Sequence, residues 1–146
     1  MNNESEAIRY YTAIIQANSA DVTAFVRRGN AYAETGQYEE AIADYSEAIR
    51  LNPADVGAFY QRGNLYRKMK AFEQALADFD AAIRLEPATA KNWVGHGNTH
   101  HDRRDFELAI ADYTAAVDLD PAYPAALYNR GKCYAELGED EQAVEP

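Results

Sequence analysis

Apolar residues recur along the chain at steps of three and four, in blocks too long for strands and separated by short polar turns, so the pattern predicts paired amphipathic helices. The blocks repeat with a period of 34. Residues 22–55, 56–89 and 90–123 are three units of equal length with no gap between them. Numbering each unit from 1, position 4 holds Phe25, Phe59 and Trp93, position 8 Gly29, Gly63 and Gly97, and position 11 Tyr32, Tyr66 and His100. The second half repeats as strictly. Position 17 holds Tyr38, Phe72 and Phe106, position 20 Ala41, Ala75 and Ala109, and position 24 Tyr45, Phe79 and Tyr113; position 27 gives Ala48, Ala82 and Ala116, and position 32 Pro53, Pro87 and Pro121. Positions 4, 7, 8 and 11 share one helical face, and 17, 20, 21, 24, 27 and 28 share another.

Each unit is therefore predicted to be two helices joined by a turn. Gly36 marks the turn in the first unit and Gly138 follows the last helix, both where a left-handed residue ends a helix. Lys70 and Arg104 stand at that place in the other units, which implies strain or a different turn. The prolines at position 32 stop each second helix. Glycine inside a helix costs about 1 kcal/mol relative to alanine, so one at every position 8 implies that a neighbouring helix comes close. Large residues at 4, 11, 17 and 24 then meet small ones at 8, 20 and 27.

This succession of an aromatic, a glycine, a tyrosine, an alanine, an aromatic, an alanine and a proline resembles the tetratricopeptide repeat family, over essentially the whole chain. The resemblance implies an all-α, right-handed α-solenoid of antiparallel helix pairs, with three full repeats and a half-repeat at each end. In the N-terminal piece, residues 4–21, Ala7, Tyr11 and Ile14 fit positions 20, 24 and 27, so it reads as a second helix alone. Residues 124–146 read as a first helix to Leu137, a turn at Gly138, and the start of a second helix. Asp140 stands where an aromatic belongs, so that last segment is expected to fray. Beginning and stopping in mid-repeat suggests a piece of a longer array, or ends completed by association.

Charge narrows the partners. With 24 acidic and 14 basic residues the net charge is −10, which argues against general nucleic-acid binding, because phosphate neutralisation needs a basic surface. The one cysteine, Cys133, cannot form an internal disulfide. No basic start leads into an apolar run and no long apolar stretch occurs, so neither signal peptide nor membrane span is expected, and a cytoplasmic location is.

Chemistry is sparse. No serine has a histidine nearby in sequence, and neither a phosphate-cradling glycine loop nor a Cys-x-x-Cys pair occurs. The chain reads as a binding module with no catalytic or cofactor-binding residues. His96 and His100 have the i, i+4 spacing that lets two imidazoles share a zinc ion, with His101 and Asp102 following. A third ligand on that face is not visible in sequence, and positions 7 and 11 face the core elsewhere, so the pair reads as packing and no metal is expected. Arg28, Arg62 and Arg130 at position 7 recur alongside Asp44, Asp78 and Asp112 at position 23. These columns are expected to pair between helices, or else to be solvated flanks of little worth.

In the family, positions 2, 5, 6, 9, 12 and 13 of each first helix line a concave groove. Here they include Arg27, Asn30, Tyr60, Gln61, Asn64, Arg67, Lys68, Lys91, Asn98, His101, Tyr128, Asn129 and Lys132, and this face carries five basic against three acidic residues. Only the central unit is net positive. A peptide with acidic side chains or a free C-terminus, drawn to Arg67, Lys68 and Lys91, is the expected partner. The asparagine ladder offers donor and acceptor to its backbone, and the two tyrosines offer flat contacts. A two-carboxylate clamp for chaperone C-termini, known in one subgroup, would need residues that here read Val26, Asn30, Gln61, Lys91 and Gly95. Only Asn30 and Lys91 match, so a chaperone tail should bind weakly. The alternative is a structural module that forms a homo-oligomer through its exposed end helices.

Overall fold

The computed structural model describes the backbone over residues 3–144 and side chains over residues 5–138. Eight helices follow one another: α1 (Asn3–Ala17), α2 (Val22–Glu34), α3 (Tyr38–Leu51), α4 (Val56–Lys68), α5 (Phe72–Leu85), α6 (Ala90–Asp102), α7 (Phe106–Leu119) and α8 (Pro124–Val144). No strand occurs among the described residues, and no helix there is long and apolar enough to cross a membrane. The architecture is an all-α solenoid. Helices α2, α4, α6 and α8 touch each other in succession, whereas α3, α5 and α7 do not. The first series therefore lies on the inside of the curve.

Between the two layers, small residues receive rings. Tyr45, Phe79 and Tyr113 are almost wholly buried, as are Ala41, Ala48, Ala75, Ala82, Ala109 and Ala116. A Cβ on Gly29 would lie 2.7 Å from the Tyr45 ring, and one on Gly97 2.8 Å from that of Tyr113. The position 8 glycine is thus a socket for the position 24 ring of its own unit, which is why the helix tolerates it.

The turns share one geometry. Gly36 has φ 79°, and Lys70 and Arg104 adopt the same left-handed conformation at 63° and 65°. In each, the next amide reaches back five residues, as from Gln37 to Tyr32, Ala71 to Tyr66 and Asp105 to His100. Packing imposes the turn and the two cationic residues bear its strain, about 1–2 kcal/mol each. Gly138 behaves otherwise. The turn expected there is absent, and α8 continues to Val144 as one helix. Each real turn is followed, two residues after its left-handed residue, by Tyr38, Phe72 or Phe106, a ring at the start of the returning helix, whereas the sequence has aspartate at residue 140, the corresponding place after Gly138. The expected fraying of that segment concerns residues whose side chains lie outside the described region.

Candidate functional site

Electrostatic pairing comes first, because it decides which charges remain for a ligand. Arg28 donates to Asp44 through Nε (2.8 Å) and Nη2 (2.7 Å), and through Nη1 to Thr12 on α1 (3.1 Å). Arg62 repeats this with Asp78 (2.8 and 2.7 Å) and Ser46 (2.9 Å). The expected inter-helix pairs are therefore present, tie each unit to the one before, and are largely buried, with Arg62 19% and Asp78 5% exposed. Each guanidinium also lies within 6 Å of two rings, Phe59 and Tyr66 for Arg62. Its hydrogen bonds to Asp78 push the Arg62 pKa still higher, though burial opposes them. Arg130 departs from this scheme: among the described residues its hydrogen bond goes to Thr114.

The third unit substitutes histidine. His96 Nδ1 lies 2.6 Å from Asp112, and its Nε2 lies 2.9 Å from Asp80, at the place where the other units carry Thr12 and Ser46. Burial lowers the His96 pKa, but the Asp112 and Asp80 carboxylates outweigh it and hold it above the ordinary value. His100 is lowered, by burial and then by the charge of His96.

On the inner face, the central hollow has a volume of about 860 Å³ and is lined by Asn64, Arg67, Lys68, Lys70, Phe72 and Asp102. A smaller one of about 140 Å³ adjoins it, bounded by Tyr38, Tyr45, Gln61, Asn64 and Lys68 among others. Asn64 and Lys68 line both. Two of the expected groove residues, Arg67 and Lys68, are thus gathered with Asn64, and Gln61 lies beside them. Tyr60 and Lys91 form a second group, the ammonium 4.8 Å from the ring centre. Asn98 and Asn129 are joined by a 3.1 Å hydrogen bond, and the Lys132 ammonium lies 5.7 Å from the Tyr128 ring centre. Arg27 is not brought to the central hollow; it lines a separate one against Tyr10, Tyr11 and Ile14 of α1.

Two features emerge only when columns are matched across helices. Arg67 is committed to Asp102 at 3.0 Å, and His101 to Glu136 at 3.0 Å, so Lys68, Lys70 and Lys91 are left as central cations without a carboxylate partner among the described residues. The asparagines also differ. Tyr45 donates its hydroxyl to Asn30 Oδ1 and Tyr113 donates to Asn98 Oδ1, both at 2.6 Å. Burial pushes the Tyr45 phenol up to about 12, so it remains a donor. Position 24 of the middle unit is Phe79, which has no hydroxyl, and Asn64 makes no side-chain hydrogen bond among the described residues. The phenylalanine in that column was the signal. Gly95, a groove position by its register, is instead buried, with the Phe79 ring where its Cβ would be.

Fold and sequence agree on the class of protein. A model described as TPR repeat matches residues 29–70 and 97–138, together more than half of the chain, and a second described as tetratricopeptide repeat matches residues 56–88. The chain belongs to the tetratricopeptide repeat family, and its fold is that of a protein–protein interaction scaffold; such repeat proteins are generally non-enzymatic. None of the curated proteins matches it. Among solved structures, it is similar to a MamA RS-1 ArsTM double mutant, with TM-score 0.84 and 24% identity over 97% of this chain and 79% of that one. It is also similar to the Arabidopsis OM64 TPR domain (0.74, 23%, covering 79% and 95%). The first TPR of Spaghetti (RPAP3), bound to the HSP90 peptide SRMEEVD, matches at 0.77 and 25%, covering 83% of this chain and 96% of that one.

Proposed function

We propose that the chain binds an extended peptide segment of a partner protein along the inner face of α2, α4, α6 and α8, centred on Asn64 and Lys68. The observation that carries this reading is the Asn64 amide, held half-buried without a hydrogen-bond partner beside the unpaired Lys68, where the corresponding Asn30 and Asn98 are already engaged. An amide in that state can accept and donate to a peptide backbone. Lys68 and Lys91 favour acidic side chains or a terminal carboxylate, and Tyr60 offers a flat surface already bordered by a cation. The peptide-bound Spaghetti domain supports a peptide ligand in this fold. A chaperone tail does not suit it, because Val26 and the buried Gly95 replace two basic clamp residues. The setting proposed is the cytoplasm, with neither nucleic acid nor membrane as partner.

Arrays of acidic peptides with free C-termini test this, read against neutral, amidated versions with the wild type and with Asn64→Ala/Lys68→Glu. Affinities falling together by about tenfold or more, some 1.4 kcal/mol, support the groove. An unchanged pattern moves the interaction to the outer face or the ends.

Self-association through α8 is the second reading, favoured by one observation. Among the described residues nothing lies within 4 Å of where a Gly131 Cβ would be, although the equivalent glycines each hold a ring, and Leu127 and Tyr134 on the same helix are 42% and 56% exposed. Light scattering over a concentration range decides it, since a pure peptide-binding module stays monomeric.

A further inference from the structure

The third helix pair and the helix before it depart from the pattern of the other units at three places. Position 7 is His96 rather than Arg28 or Arg62, position 11 is His100 rather than Tyr32 or Tyr66, and Asp80 on α5 stands where Thr12, Ser46 and Thr114 stand. Replacing a guanidinium by a smaller imidazole explains Asp80, which restores a bond to the preceding unit. It does not explain His100. That ring is 12% exposed, and its two nitrogens lie 4.0 Å from the nearest carboxylate oxygens, those of Asp105 and Asp112, beyond hydrogen-bond reach. Its Nδ1 is a buried polar atom without a partner. Its Nε2, the nitrogen nearer Asp112, likewise makes no hydrogen bond among the described residues, and this is the atom available to a ligand.

We propose that His96, His100 and Asp112 form a zinc-binding site that joins α6 to α7. One ligand atom from each lies within 4.8 Å of the others. His96 Nδ1 and Asp112 Oδ2 are 2.6 Å apart, and His100 Nε2 and the same oxygen 4.0 Å. Tetrahedral zinc with bonds of about 2.0–2.1 Å holds its ligands ~3.3 Å from one another, so Asp112 must draw back from His96 and the two imidazoles, whose ligand atoms lie within 4.8 Å, must rotate toward the ion. The histidines are four residues apart on one face of α6, and Asp112 faces them from α7. This is the third ligand that the sequence did not reveal.

The surroundings suit the ion. When Nδ1 of His96 binds metal, its Nε2–H donates to Asp80, already at 2.9 Å. A carboxylate on the far nitrogen of a ligating histidine fixes the tautomer and strengthens the ligand. Asp105 stands opposite Nδ1 of His100 in the same relation, though farther off. Two imidazoles and one carboxylate select a first-row divalent ion over calcium or magnesium, which require oxygen. The fourth position falls to water. Binding displaces the proton shared by His96 and Asp112, and no redox step is involved.

The test uses the full chain without an affinity tag, stripped with chelator and titrated with Zn²⁺ at pH 7.5 by calorimetry, with Co²⁺ as the spectroscopic probe. One ion per chain, a zinc-dependent rise in Tm and the visible bands of tetrahedral Co²⁺ are expected. His100→Tyr restores the residue of the other units and keeps the fold, yet it should weaken binding by at least about tenfold, and Asp80→Asn by about 10–100-fold. His101→Gln should change nothing. Absence of stoichiometric uptake and of any Tm shift in the wild type overturns the proposal, as does undiminished affinity in His100→Tyr or loss of binding in His101→Gln.

Discussion

Replacing Arg62 with methionine separates a structural ion pair from a decorative one. Methionine preserves much of the aliphatic volume between Phe59 and Tyr66 but removes all three donated bonds, two to Asp78 and one to Ser46. Asp78 is then stranded at 5% exposure. Breaking a buried pair by deleting one partner costs about 3–5 kcal/mol, mostly because the remaining charge stays buried. Arg62 is 19% exposed and water can follow it in, so a loss of about 2–4 kcal/mol is the reasoned range. With a urea m-value of about 1–3 kcal/mol/M, the unfolding midpoint followed by far-UV circular dichroism should fall by about 1 M or more. The double variant Arg62→Met/Asp78→Leu should recover most of that loss, because a hydrophobic replacement of the whole pair leaves no orphan. A single variant within about 0.5 kcal/mol of wild type would show the pair to be solvated and worth no more than exposed pairs generally are. Failure of the double variant to recover would place the cost in the lost Ser46 link to the preceding unit.

Glycines at matching positions should respond in opposite directions. Gly97→Ala drives a methyl into the Tyr113 ring and should cost about 1–3 kcal/mol, whereas Gly131→Ala meets nothing within 4 Å among the described residues and should gain about 0.5–1 kcal/mol of helix propensity; thermal melts of the two suffice, and equal effects would refute the socket argument. Thr89 precedes α6 without capping it and donates to Glu86 instead, unlike Asp21 and Asp55, which each accept an amide at 3.0 Å. Thr89→Asn supplies a cap without a second negative charge beside Glu86 and should stabilise by about 1 kcal/mol in urea titration; a loss would mean that the Glu86 contact matters more.

Architecture was legible because it depends on residue size at fixed spacing. A ring at position 24 and glycine at position 8 determine one another wherever helices pack, and Gly29 with Tyr45 could be matched from their columns alone. The Arg–Asp columns were legible for the same reason. Gly138 misled because a glycine permits a turn without compelling it: a ring follows each real turn in sequence, and residue 140 is an aspartate.

The site was only half legible. Helical register placed Asn64, Lys68 and Lys91 on one face of successive helices, and the family resemblance singled out that face as the expected groove. Tertiary structure decided which of them remain available, because availability depends on partners 15 to 35 residues away: Tyr45 for Asn30, Tyr113 for Asn98, Asp102 for Arg67, Glu136 for His101. It also brought Asp112 to the two histidines, an approach across α6 and α7 that no local spacing encodes. Helical periodicity specifies which way a side chain points, but only packing specifies what it meets there.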